Sequence, residues 1–229
     1  MKIGVMMWIV SMLWSCGQET EPKVKDRKAS PDRVSDSVAV AEKTILFFGN
    51  SITAGYGLDL SEAFPARIQE KIDSMDLPYR VVNAGVSGET SAGGKSRIDW
   101  ILKQPVDIFV LELGGNDGLR GIPIDETKKN LQHIIDRVKM KNPNVQIVIT
   151  GMQIPPNMGK KYTDAFRNMY PELAKKNNIA LVPFILEGVG GIAELNLADG
   201  IHPTAQGHRI LAENVWAVLR DIIQTDSKT

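Results

Sequence analysis

The chain has 229 residues, of which 43% are hydrophobic and 24% charged, enough for one domain with a real core and typical of a globular protein. Its 27 lysines and arginines balance 27 aspartates and glutamates, so no strong field draws it to nucleic acid or anionic lipid. The densest basic stretch, Lys23 to Lys28, is diluted by Asp26, which argues against a nucleic-acid partner.

The first sixteen residues differ from the rest. Lys2 precedes an almost uncharged apolar run, 3–14, too short to span a bilayer as a helix but suited to the core of a signal peptide. Leu13-Trp14-Ser15-Cys16 resembles a bacterial lipobox, in which Cys16 is lipidated and becomes the first mature residue; an ordinary cleaved signal is the alternative. Cys16 is also the only cysteine, so a disulfide or a thiol nucleophile within the mature domain is excluded. Residues 17–42 are rich in charge, Ser and Pro and read as a flexible tether. The expected localisation is the bacterial cell envelope, with a lipid anchor to the membrane, and the folded domain is expected over 43–225.

Within that domain, short apolar runs alternate with longer amphipathic ones. Strands are expected at 44–48, 79–83, 108–113, 146–152 and 180–183, each a continuous apolar run of the kind that parallel strands bury on both faces. Helices are expected at 63–74, 94–102, 125–141, 163–177 and 204–223. In the third, Leu131, Ile134, Ile135 and Val138 mark one apolar stripe, and Asn142-Pro143 ends it. This alternation predicts an α/β fold, a three-layer α/β/α sandwich around a five-stranded parallel sheet. Ligands in such folds bind at the carboxyl ends of the strands.

Four segments with chemical potential follow strands. The first strand exits into Gly49-Asn50-Ser51-Ile52-Thr53-Ala54-Gly55, which can expose the Ser51 hydroxyl above the sheet; a cap or turn serine reads equally well. Thr53 stands where the Gly-x-Ser-x-Gly elbow has its second glycine, so this is not that motif. After the second strand comes Asn83-Ala84-Gly85-Val86-Ser87-Gly88-Glu89-Thr90, where a glycine N–H can donate. After the third comes Gly114-Gly115-Asn116-Asp117, whose Asn116 amide can donate to a developing oxyanion. Near the end, Asp199-Gly200-Ile201-His202-Pro203 sets a carboxylate three residues from an imidazole. Serine chemistry needs that pairing, since the base must be held in the right tautomer. A surface turn before a helix capped by Thr204 accounts for the segment as well. Of the other two histidines, His133 falls on a solvated helical face and His208 in a helix, as a structural residue.

In this order, each after a strand, the four segments resemble the blocks of the SGNH (GDSL-type) hydrolases, over about 45–223. The likeness is greatest to the bacterial thioesterase I, arylesterase and lysophospholipase branch, through residues 111–121 and the segment from Met152 to Gly159. The resemblance implies a flavodoxin-like sheet and a triad of Ser51, His202 and Asp199. It implies an oxyanion hole from the N–H groups of Ser51 and Gly88 with the amide of Asn116. It further implies a small-molecule or lipid acyl ester as substrate. No cofactor is expected, and no metal, since one loop histidine and scattered carboxylates show no ligand spacing. His202 must be neutral to act as base, so activity is expected to fall on acidification. One departure stands out: the family usually carries Asp before the nucleophile, and here that residue is Asn50. A carbohydrate deacetylase on the same scaffold and a non-catalytic lipid- or glycan-binding lipoprotein remain the alternatives.

Overall fold

The computed structural model describes residues 42–226. The leader with Cys16, and all of the tether except Glu42, lie outside the described residues. The described residues form five strands: β1 (Lys43–Gly49), β2 (Tyr79–Gly85), β3 (Ile108–Glu112), β4 (Gln146–Thr150) and β5 (Ala180–Val182). All neighbours pair in parallel, in the order β2-β1-β3-β4-β5. This is the flavodoxin-like order, with its topological switch between β1 and β3.

Among the described residues seven α-helices connect or flank the strands: α1 (Ser51–Ala54), α2 (Phe64–Ser74), α3 (Ser91–Ile101), α4 (Gly115–Leu119), α5 (Ile124–Lys141), α6 (Lys160–Asn177) and α7 (Ala205–Asp226). Adjacent side chains of β1 show why both faces of the sheet are covered. Phe47 meets Phe64 of α2 edge-on, with ring centroids 5.4 Å apart, while Phe48 points the other way, under the Arg97 guanidinium of α3. Accordingly α2 packs with α7, and α3 with α5 and α5 with α6. All five residues of β3 are buried, as the continuous apolar run requires of a central strand.

The elements differ from the expectation at their ends and in two short helices. Helices α1 and α4 occupy segments that read as turns. Asn50 caps α1 by accepting the Ile52 N–H at 2.9 Å, and Gly114, at φ 108°, bends the chain directly from β3 towards α4. Helix α3 starts at Ser91 rather than Gly94, because Thr90 caps it by accepting the Gly93 N–H. Strand β4 ends at Thr150, two residues early.

Candidate active site

Ser51 opens α1 at the end of β1, and its hydroxyl is 2.9 Å from Nε2 of His202, 151 residues away. On the far side of the ring, Nδ1 lies 2.7 Å from Oδ2 of Asp199. The turn between β5 and α7 carries both partners and is braced locally. Oδ1 of Asp199 accepts the N–H groups of Ile201 and His202, while the Leu197 N–H donates to the His202 carbonyl at 2.7 Å. Thr204 then accepts the Gly207 N–H at the start of α7, so the turn is a cap as well as the carrier of His202. The backbone donation from His202, followed by the ring and the Ile201 N–H, lowers the Asp199 carboxyl to about 2, and it stays ionised. The Tyr56 ring leans over the imidazole, with centroids 4.5 Å apart.

Asn116, in α4, faces the same cavity as Ser51 and His202. Its Nδ2 gives one hydrogen to the Glu89 carbonyl at 2.9 Å, leaving the second for another acceptor. Glu89 is itself held by Arg97, which also donates to the Ala84 carbonyl. Gly88 lies on the exposed loop just before Glu89, at φ 78°, outside the cavity wall, and its carbonyl accepts from Arg120. Asp117 is buried and ties three helices together. It accepts the Ser91 N–H at 2.8 Å and the Ser91 hydroxyl at 2.5 Å, and the Thr127 hydroxyl at 3.3 Å.

The cavity beside Ser51 has a volume of about 490 Å³. Leu119, Met152, Ile154, Phe184, Leu186 and Ile201 supply most of its apolar lining, and Asn50, Ser51, Asn116, Gln153, Asn196 and His202 supply the polar side chains. Of the remaining histidines, His133 lies half-buried in α5 and His208 is buried in α7, where Nδ1 accepts the Phe64 N–H at 3.0 Å. Burial, and secondarily the charge on His202, lowers His208 to about 4, so it is neutral.

Sequence reading missed the supports. Arg97, Glu89, Tyr56 and Glu112 hold or contact the reactive groups, yet none belongs to a spacing pattern that announces it. Glu112 was visible as one anomaly, an acidic residue ending an otherwise apolar strand.

A five-stranded parallel sheet of this order, with a cavity lined by residues that follow its strands, defines a flavodoxin-like α/β protein with its candidate site at the carboxyl edge. The GDSL-like lipase/acylhydrolase family model matches residues 47–210, and the chain belongs to that family; it is a carboxylic ester hydrolase. It is similar to the esterase TesA of Pseudomonas aeruginosa, 41% identical over 184 residues that cover 80% of this chain and 90% of that protein. It is also similar to thioesterase 1/protease 1/lysophospholipase L1 of Escherichia coli K12, 37% identical over 190 residues, 82% of this chain and 89% of the relative. The crystal structure of TesA matches with a TM-score of 0.75 over 78% of this chain and 99% of that one.

Proposed function

We propose that the chain is a serine esterase that cleaves acyl esters or thioesters through a covalent acyl-enzyme, with Ser51, His202 and Asp199 as its triad. The observation that carries this reading is the contact set, 2.9 Å from Ser51 Oγ to His202 and 2.7 Å from His202 to Asp199, on a cavity with a largely apolar lining. His202 takes the hydroxyl proton as Oγ attacks the acyl carbonyl, and ionised Asp199 stabilises the imidazolium. The leaving alkoxide or thiolate departs with that proton. Water then attacks the acyl-serine by the same route, releasing the acid and restoring the hydroxyl.

The free hydrogen of the Asn116 amide and the Ser51 N–H are the donors for the oxyanion, each worth roughly 3–4 kcal/mol in the transition state. Gly88 as the third donor rests on the family resemblance alone. The apolar lining favours a hydrocarbon acyl chain, which fits short-to-medium acyl esters, aryl esters or lysophospholipids. We further infer a leader over 1–16 lipidated at Cys16 and a tether over 17–42 that carries the hydrolase domain, 43–225, at the cell envelope. These inferences rest on sequence.

The test is a panel of p-nitrophenyl acyl esters, acyl thioesters, lysophospholipid and acetylated xylan, assayed with wild type and Ser51→Ala. Turnover of acyl esters or thioesters, lost together with fluorophosphonate labelling in the variant, is the expected result. Near-wild-type turnover by Ser51→Ala would sink the serine mechanism, and activity confined to acetylated xylan would sink the acyl-chain substrates in favour of carbohydrate deacetylation.

A further inference from the structure

Beneath the nucleophile turn lies a carboxylate that the mechanism above does not use. Glu112 ends β3, 1% exposed, and its side chain reaches the turn that carries Ser51. Oε1 accepts the Asn50 side-chain amide at 2.9 Å; Oε2 accepts the Asn50 N–H at 3.2 Å and the Thr53 hydroxyl at 2.8 Å. Asn50 and Thr53 are equally buried, at 2% and 0%. Asn50 relays the contact to the reactive residue: its Oδ1 caps the Ile52 N–H at 2.9 Å and stands 3.5 Å from the Ser51 hydroxyl. Gly49 leaves the room for this arrangement, because a Cβ there would fall 2.0 Å from Oγ1 of Thr53 and 2.7 Å from Oε2 of Glu112.

We propose that Glu112 is a positioning residue for Ser51, and that Asn50 in the place of the usual Asp lets it act as a carboxylate that need not share its proton. Each Glu112 oxygen faces a donor, and among the described residues no cation pairs with it, so above about pH 7, where burial lets it ionise, hydrogen bonds alone hold the charge. An acid at position 50 would instead set two carboxyls against each other at about 3 Å, where only one ionises. With Asn50, every contact from Glu112 to the turn is of one polarity, carboxylate accepting and turn donating. The turn is therefore pinned at both ends, at Asn50 before the nucleophile and at Thr53 after it. This fixes Ser51 Oγ against His202, and displacements on the order of 1 Å at a reacting atom are worth roughly a hundredfold in rate.

This inference rests on Ser51 being the nucleophile, and its test keeps the two apart. Glu112→Gln turns one acceptor into a donor, so one end of the amide meets the donors of the turn. The interchanged pair Asn50→Asp/Glu112→Gln restores complementarity, with the amide now at position 112 donating to the carboxylate now at position 50 and still accepting from Thr53. Full-length wild type and both variants are compared for kcat and KM on a p-nitrophenyl acyl ester, for the rate of fluorophosphonate labelling, and for folding by circular dichroism. The expected result is a loss of roughly 10- to 100-fold in kcat for Glu112→Gln, with KM within about twofold and the labelling rate falling in parallel. The interchanged pair is expected to return kcat to within about threefold of wild type. Wild-type kcat in a folded Glu112→Gln overturns the proposal. So does an interchanged pair that is as slow as the single variant or fails to fold, since it keeps every contact that the proposal names. Ser51→Ala, run alongside, separates the readings. If it retains turnover, the serine mechanism itself fails; if it is dead while Glu112→Gln is unimpaired, only the role of Glu112 fails.

Discussion

Glu112 and Asp199 are two acids at one candidate active site with opposite environments. Asp199 lies near solvent and accepts two backbone N–H groups and the His202 ring, which together hold it at about 2. Glu112 is buried, and the loss of solvation outweighs its donors, pushing it from 4.5 up to about 7. Tyr170 of α6, buried and pushed well up first by burial and then by the charge of Glu112, stays neutral and adds no second negative charge near it. The sign of the resulting pH dependence follows from proton counting. Between about 4.5 and 7 the folded protein holds a proton on Glu112 that the unfolded chain has released, so this group's contribution to stability falls as pH rises. Over the full window the effect is roughly 3 kcal/mol. Urea unfolding of wild type and Glu112→Gln from pH 4 to 8 isolates it, because the difference between the two curves carries the Glu112 contribution. A difference that does not change with pH would show that Glu112 does not titrate in this window.

At the scale of elements, what matters is how helices are tied across long sequence separations. The Phe64 N–H at the start of α2 has no acceptor within its own helix, and Nδ1 of His208 in α7 accepts it. Protonating that nitrogen replaces an acceptor with a second donor. Because His208 is lowered from 6.5 to about 4, the unfolded chain takes up its proton first, and this part of the stability is lost as pH falls through that range. His208→Ala removes the acceptor and opens a cavity, and a loss of roughly 2–4 kcal/mol by chemical denaturation at about pH 7.5 is expected. Asp117 does the corresponding job on the other face, joining α4 to the start of α3 and to α5. Much of this level could be read from the chain. The five strands and five long helices follow from runs and stripes of apolar residues, because burial enforces those periods whatever the partners are. The two short helices could not be read that way. They depend on a single cap at Asn50 and a single left-handed glycine at Gly114, and a one-turn helix has no period to detect.

For the molecule as a whole, the domain is built so that three chain segments far apart in sequence end at one edge of the sheet. The strand order sends β1 and β3 to neighbouring positions at the switch point, which brings Ser51 beside α4 and Asn116, while the segment after β5 closes the group with His202. Among the described residues no helix is long and apolar enough to cross a membrane. The proposed lipid anchor is read from the sequence around Cys16. Two outcomes follow for the full chain expressed in a bacterial host. Cys16→Ala is expected to abolish incorporation of an alkyne-labelled fatty acid and to move the enzyme from the membrane to the soluble fraction, with kcat on a soluble ester unchanged. Equal labelling of the variant, or no labelling of wild type, would refute the lipid anchor.

The sequence by itself determined the class of fold, the family and the choice of candidate reactive residues, because each of these is written in local patterns. Strand burial, helix periodicity and four short blocks after strands are all properties of neighbouring residues. Only the tertiary structure decided how the reactive residues are held. The contacts of Glu112 with Asn50 and Thr53, of Arg97 with Glu89, and of His208 with Phe64 span 8 to 144 positions, and no local rule links the partners. Asn50 shows the difference most plainly. In the sequence it is a departure from its family; in the fold it is the donor that matches a buried carboxylate and the cap that orients the serine beside it.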